Sequence, residues 1–162
     1  MSILKEDRAV YMTDTALRDF LLWEASSKDT IDLKRVYVDI TDDLVAGLLL
    51  SQINFWFLPN RQGQTKLRVQ KDGQEWLVKR REDWWEEIRI SAKQFDRAAA
   101  ILEEKGFVTM QVYRFAGSPT LHIALNLHAV WEAVKSTFQQ GEGVNSEKDK
   151  VYIAERERTL TE

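Results

Sequence analysis

The side chains best suited to bind a ligand lie close together on one predicted helix. Its inward positions are apolar and follow helical spacing: Phe95, Ala98, Ala99 and Leu102. Lys93, Gln94 and Arg97 therefore fall on its outward face. Lys and Arg side chains bind phosphate or the edge of guanine, and Gln suits adenine. The pattern predicts contact with DNA, while a solvated helix face, with the two cations paired to Asp96 or Glu103, remains the open alternative.

The two ends of this helix are marked by the sequence. Ser91 followed by Gln94 predicts a capping box, in which each side chain satisfies a backbone amide at the start of the helix. Gly106 is placed where a left-handed residue ends a helix at little steric cost. Because Ser91 begins the helix that carries Lys93, we also count it among the candidate DNA contacts.

Two further groups of polar residues could hold phosphate. Lys79, Arg80 and Arg81 form the densest basic run of the chain, just before a short predicted helix. Arg114 and Ser118 flank a predicted turn. For each group the alternative is a solvated surface: a soluble strand end for the basic run, and a lone exposed arginine at the turn.

Catalytic chemistry finds little support in the sequence. The chain has no cysteine and only two histidines, His122 and His128, whose spacing does not match a metal site. The carboxylate clusters at residues 42–43 and 83–87 fall in first helical turns, where the helix dipole accounts for them. No glycine-rich phosphate loop is present. We therefore predict a protein that is not an enzyme and uses no metal or cofactor.

The tryptophans raise the possibility of base stacking in a single-strand binder. Trp56 and Trp84 occur at core-facing helical spacings, and Trp76 and Trp131 have apolar neighbours. These four are predicted to be in the core. Trp85 follows Trp84 directly, so one of the two must point away from the deepest core.

The first half of the chain predicts three elements that could position these residues. Residues 15–25 show a helical apolar pattern, and residues 35–40 alternate as a short strand does. Thr41 is predicted to cap a long, largely apolar helix that runs to Leu58 and forms the centre of the core. A loop or loose hairpin should then follow, with a turn at Asp72-Gly73.

The second half predicts two short helices joined by residues 89–91, then a β-hairpin from residues 107–125 and a last helix over residues 127–138. In that helix an apolar stripe has spacings of four, three and four: Leu127, Trp131, Val134 and Phe138. The order predicts an α+β, mainly helical fold: a winged helix-turn-helix with a two- or three-stranded wing sheet and extra N- and C-terminal helices.

The length of the chain limits the number of domains, and its charge limits the kinds of partner that it can bind. The 162 residues fit one core, and we divide them into an N-terminal arm (1–34), a winged-helix domain (35–138) and a polar C-terminal tail (139–162). The net charge of -3 argues against nonspecific coating of nucleic acid, but residues 61–114 carry 12 basic and 9 acidic residues. No apolar run is long enough for a membrane span, which predicts a cytoplasmic protein without membrane contact.

Four stretches of the sequence are similar to a known family. Leu49 to Trp56, Asp72 to Leu77, Trp84 to Ile88 and Leu102 to Val108 resemble the N-terminal winged-helix domain of phage and plasmid replication proteins, which is similar to the DnaD-type replication-initiation domains. The distinctive parts are Gln-x-x-x-Trp and Asp-Gly-x-x-Trp, and the likeness runs from about residue 35 to residue 130. The resemblance implies binding of duplex DNA, often as a dimer, through the helix from Ser91 to Lys105.

Together these patterns predict a double-stranded DNA-binding protein of replication initiation or transcription regulation. We expect a homodimer, possible contacts with other replication proteins, and DNA contacts from Lys79, Arg80, Arg81, Ser91, Lys93, Gln94, Arg97, Arg114 and Ser118. The alternative is a protein-interaction or dimerisation module of the same fold without DNA affinity. The net acidity of the chain favours that alternative.

Overall fold

The computed structural model describes residues 14–140. In that range the protein is an α+β structure with six α-helices and a four-stranded antiparallel sheet, and about half of its residues are helical. The α+β class predicted from the sequence is confirmed. The chain divides between Asp32 and Leu33 into two compact units. Among the described helices, none is both long enough and apolar enough to cross a membrane.

The first unit contains one described helix, α1, over Thr15–Ser26. Asp14 begins it, because its carboxylate accepts a hydrogen bond from the amide of Ala16 at 2.9 Å and satisfies a free donor of the first turn. The helix predicted for residues 15–25 is confirmed. Residues 1–13 of the predicted arm and residues 141–162 of the tail predicted from residue 139 lie outside the described residues.

The strand predicted for residues 35–40 is wrong, because this segment belongs to helix α2, Arg35–Thr41. The six residues alternate only weakly, and they also place Tyr37 and Ile40 three apart, on one side of a helix. Both side chains pack against the hydrophobic core. In so short a segment, this tertiary packing decides between the two periodicities.

The predicted cap at Thr41 is also wrong, and Asp43 takes that role. The Asp43 carboxylate accepts a hydrogen bond from the amide of Ala46 at 2.8 Å, at the start of helix α3, Leu44–Phe57. Thr41 instead ends α2, and its hydroxyl donates to the carbonyl of Tyr37 at 2.7 Å. Asp42 lies between them in the left-handed region, with φ of 55°, and redirects the chain from one helix into the next.

Helix α3 is the central helix of the second unit, as predicted. Its side chains Leu49, Leu50 and Ile53 are fully buried. Gly47 lies so close to α2 that a Cβ there would be 2.9 Å from the backbone nitrogen and Cα of Val38. The missing side chain therefore permits the close approach of α2 to α3.

The sheet contains four strands: β1 Val69–Lys71, β2 Gln74–Val78, β3 Val108–Phe115 and β4 Ser118–Leu125. Their spatial order is β1-β2-β4-β3, and every neighbouring pair is antiparallel. The hairpin predicted for residues 107–125 is present, and β1 and β2 form a hairpin where a loop or a loose hairpin is predicted. The predicted number of two or three strands is wrong, because β2 also pairs with β4 and joins the two hairpins into one sheet. The second turn consists of Ala116 and Gly117 alone, with φ of 50° and 84°, because left-handed residues match the twist of the strands that they join.

Three helices complete the unit: α4 Trp84–Ile88, α5 Ala92–Glu104 and α6 Leu127–Gln140. The inward side chains of α5 are those predicted, and Phe95 stacks on the buried Trp84 with ring centroids 5.6 Å apart. Gly106 follows α5 with φ of 76°, as its predicted role requires. Trp85 points outward and is 52% exposed.

The core position predicted for Trp131 is wrong. Its side chain is 43% exposed, and Leu127 and Phe138 of the same stripe are 54% and 40% exposed. The buried side of α6 is formed by Val130, with Ala133 and Val134 packed beside it. These smaller residues let α6 lie close to the core, and the larger residues of the stripe face outward.

Candidate nucleic-acid interface

The start of α5 is held by the predicted capping box. The Ser91 hydroxyl oxygen accepts a hydrogen bond from the Gln94 amide at 3.2 Å, and the Gln94 side-chain oxygen accepts one from the Ser91 amide at 2.8 Å. Both residues are exposed. Because the oxygen of Gln94 serves the cap, its amide nitrogen is the part that remains available to a ligand.

Lys93 lies on the exposed face of the first turn of α5. Within residues 14–140 it forms no ion pair, so its ammonium group is available to a phosphate. It is the candidate residue whose placement agrees best with a direct contact. The anchoring of α5 through the stacked Phe95 and Trp84 fixes where this charge projects.

Arg97, one turn further along α5, is engaged with a residue that the sequence did not suggest. Its guanidinium donates to both carboxylate oxygens of Asp43, at 2.6 Å and 3.3 Å. Hydrogen bonds from Arg97 and from the Ala46 amide lower the pKa of Asp43. The alternative of pairing with Asp96 or Glu103 is therefore wrong for Arg97. One carboxylate both caps α3 and holds an exposed arginine of α5.

Arg81 and Arg80 are also paired. Arg81 binds both carboxylate oxygens of Asp96 on α5, and its Nε donates to Asp96 Oδ1 at 3.0 Å. The Arg80 side-chain nitrogen Nη2 lies 3.3 Å from Asp83 Oδ1. These pairs are exposed, and exposed ion pairs contribute little to stability, so phosphate could replace the carboxylates as partners. The structure thus leaves both arginines on the surface with their charges neutralised.

Lys79 has a different setting from the other basic residues. Its side chain is 16% exposed and forms an ion pair with Glu87 of α4. Its ammonium group also lies 4.8 Å from the centroid of the Trp56 ring. The same carboxylate accepts hydrogen bonds from Gln52 at 2.9 Å and from the Trp56 indole at 2.7 Å. Lys79 therefore connects α3 to α4, and most of its side chain is covered by these two helices and not exposed to a ligand.

The Gln-x-x-x-Trp pattern has a physical explanation in this network. Gln52 and Trp56 are one helical turn apart on α3, and both donate to Glu87 Oε1. The spacing of the two donors was visible in the sequence, but the acceptor lies more than 30 residues away along the chain. No local pattern identifies that carboxylate.

The β3–β4 hairpin carries the last two candidates. Arg114 and Ser118 are exposed on opposite sides of the Ala116-Gly117 turn. Arg114 has no ion pair among the described residues. Among the cations predicted to contact DNA, Lys93 and Arg114 are therefore the two without an ion pair in the described residues.

Arg89 has a structural role that the sequence analysis does not predict. It occupies the turn between α4 and α5 in the left-handed region, with φ of 58°. Its guanidinium donates to the carbonyls of Trp85 and Glu86 at 2.6 Å and 3.1 Å, which satisfies the free end of α4. The signal available was an arginine in the last turn before a break, which suits a helix C-terminus.

Comparisons of the chain with family models, with curated proteins and with solved structures found no match. The resemblance to phage and plasmid replication proteins therefore stays a prediction. A function has to be inferred from the order of the elements and from the charges that they expose.

Proposed function

We propose that this protein binds double-stranded DNA through a winged helix-turn-helix, in replication initiation or transcription regulation, and so acts in the cytoplasm. The observation that carries the proposal is the order of the elements. Strand β2 precedes two short helices, α4 and α5, and the β3–β4 hairpin follows directly. β4 pairs with both β2 and β3, so the hairpin and the strand that precedes the two helices belong to one sheet. This arrangement is typical of a winged helix.

The surface of α5 suits the major groove. Its outward positions at Lys93, Gln94, Arg97 and Ala100 are exposed, and the small side chain of Ala100 permits close approach of a duplex. A major groove admits one α-helix, and the first residues of that helix contact the base edges. Lys93 stands in the first turn, where such a contact is made.

The hairpin supplies a second point of contact. Arg114 stands beside the two-residue turn and is exposed, so it can reach a phosphate adjacent to the groove that α5 occupies. Of the cations among the candidate contacts, only Lys93 and Arg114 have no ion pair in the described residues. We therefore expect binding that depends on salt with a small slope, as a protein with few phosphate contacts shows.

The first prediction compares two lysines at opposite ends of α5. Lys93→Ala should weaken binding to a mixed-sequence duplex by roughly eightfold at about 0.1 M salt, since each phosphate contact contributes a salt slope of about 0.9. The measurement is fluorescence anisotropy at two salt concentrations. The salt slope should also fall by about one unit in this variant.

Lys105→Ala is the matched control. It removes the same charge at the end of α5, from a residue that is also exposed and has no ion pair among the described residues. It should change affinity by less than about twofold, because that end is not expected to enter the groove. Equal losses in both variants would show a nonspecific effect of charge. Absence of salt-sensitive binding in the unchanged protein would refute the proposal.

A second candidate function, self-association as an interaction module, is favoured by the exposed side of α6. Leu127, Trp131 and Phe138 are exposed, and together with Val134, which packs partly against the core, they repeat at spacings of four, three and four. Such spacing is typical of a helix that packs along a second helix. The partner most consistent with a homodimer is the same side of α6 in a second copy.

Trp131→Glu tests this candidate. A charge at the centre of the stripe should shift a dimer to monomer in sedimentation equilibrium, with at least a tenfold rise in the dissociation constant, about 1.4 kcal/mol. Trp85→Glu is the control, since Trp85 is similarly exposed but lies on α4. A protein that is monomeric before substitution would eliminate this candidate. A dimer without duplex affinity would favour it over DNA binding.

A further inference from the structure

A groove of about 390 Å³ opens beside the β3–β4 hairpin, and its lining residues belong to elements other than α5. It is bordered by the end of α3, the segment before β1, strand β2 and the hairpin tip. Its lining combines aromatic rings with basic groups: Trp56, Trp76, Phe115, Lys66, Arg68 and Lys79. Its volume lies in the range of small-ligand sites.

The charge of this groove is positive. Lys79 is neutralised by Glu87, and Asp83 is paired with Arg80. Lys66 and Arg68 have no carboxylate partner anywhere in residues 14–140. Two cations on one wall, without a paired acid, are complementary to an anionic ligand.

A bound anion would stabilise the charged form of Lys66. Its ammonium group lies 3.6 Å from the centroid of the Phe55 ring. Partial burial lowers the pKa of Lys66. A bound phosphate would offset this loss of hydration by placing a negative charge beside the ammonium group.

The segment that carries Lys66 and Arg68 is fixed by its own hydrogen bonds. The side-chain oxygen of Asn60 accepts from the amides of Gln62 and Gln64 at 3.0 Å and 2.9 Å. The Thr65 hydroxyl oxygen then accepts from the amide of Leu67 at 3.1 Å. A loop that is already ordered loses less conformational entropy when a ligand binds.

The aromatic part of the lining offers a surface to a planar group. Phe115, at the end of β3, is 45% exposed, and Trp56 is partly exposed. Stacking on such rings is the usual way in which proteins hold unpaired bases, and it tolerates any base. An acidic peptide would satisfy the two cations but has no planar ring at each repeat of its backbone.

We infer that this groove holds an unpaired nucleotide of a single DNA strand, with the base against Phe115 and the phosphate at Lys66 and Arg68. The site is separate from the duplex contact proposed for α5 and does not depend on it. Because Phe115 belongs to the hairpin, a strand that leaves a duplex bound at the hairpin could enter the groove directly.

The test uses the full chain and a short fluorescent oligothymidylate. Arg68→Ala should weaken anisotropy-detected binding roughly fivefold at about 0.1 M salt, given a slope of about 0.7 for each contact with a single strand. Arg61→Ala is the matched control, because Arg61 is an exposed arginine of the same loop that does not line the groove and has no ion pair within residues 14–140. Arg61→Ala should change binding by less than about twofold. Equal effects of the two substitutions would overturn the proposal.

Further ligands test whether binding requires the base and whether it requires a nucleic-acid strand. An abasic strand with the same number of phosphates should bind roughly tenfold more weakly, and Phe115→Ala should remove that difference. Equal binding of the abasic strand would overturn the stacking arrangement. Thymidine monophosphate that binds as tightly as the strand, or an acidic peptide that displaces the strand equally well, would overturn the choice of ligand.

The two DNA proposals can fail separately. Lys93→Ala should leave single-strand binding unchanged, and Arg68→Ala should leave duplex binding unchanged, since Arg68 lines the groove and Lys93, on α5, does not. Circular dichroism reports whether Arg68→Ala is folded, whether or not the protein binds duplex. Loss of both activities in either variant would contradict two independent sites.

Discussion

Phe95→Ala is expected to lower the free energy of unfolding by about 3 to 5 kcal/mol, the range for removing a large aromatic side chain from a packed core. Phe95 is 2% exposed, and its ring is stacked on Trp84 at an interplanar angle of 14°. Substitution would leave a cavity between α4 and α5, which meet through this pair. Urea unfolding followed by circular dichroism measures the change.

The loss is large relative to the total, because domains of this size are stable by only about 5 to 15 kcal/mol. Glu103→Ala, an exposed change on the same helix, should stay within about 0.5 kcal/mol. Phe95→Leu should lie between the two. A loss below about 1 kcal/mol in Phe95→Ala would mean that the stacked pair does not hold α5 in place.

Elements with a strong period or an explicit cap were predictable from the sequence. The start and end of α5 followed from Ser91, Gln94 and Gly106, because capping depends on residues only a few positions apart. The hairpin turns followed from Asp72-Gly73 and Ala116-Gly117 for the same reason. Local chemistry determines such features, so a single sequence contains the information.

Elements decided by distant packing were not predictable. Residues 35–40 fit either period, and contact with the core selects the helix that is observed. On α6 the stripe of large apolar residues looked like the inward side, but the smaller Val130 and Ala133 are the residues that pack inward. Hydrophobicity alone does not identify which of the two apolar sides of α6 packs against the core.

The candidate site shows the same division. Exposure of Lys93 and Gln94 on α5 followed from helical spacing. The partners of the arginines did not, because Asp43 is 54 residues from Arg97 and Asp96 is 15 residues from Arg81. Ion pairs across elements depend on how the helices are placed. The sequence likewise predicts Lys79 at the surface, because its partner Glu87 lies on another element, α4.

Breaking the Arg97–Asp43 and Arg81–Asp96 ion pairs should have the second large effect, an increase in the affinity for duplex DNA. Asp43 and Asp96 each neutralise an exposed arginine beside the proposed duplex contact. The double substitution Asp43→Asn and Asp96→Asn should free both guanidinium groups for phosphate. With a slope of about 0.9 for each contact, affinity for duplex should rise by up to roughly 60-fold at about 0.1 M salt. Asparagine still caps a helix, so α3 should keep its start.

Glu103→Gln with Glu104→Gln is the matched control. It removes the same number of negative charges from the protein, at two exposed carboxylates of α5 that form no ion pair among the described residues. This control should raise affinity by less than about threefold, through long-range attraction alone. If both double variants gain equally, the arginines are not phosphate ligands. If neither gains, α5 does not approach the duplex, and self-association through α6 becomes the better account of this fold.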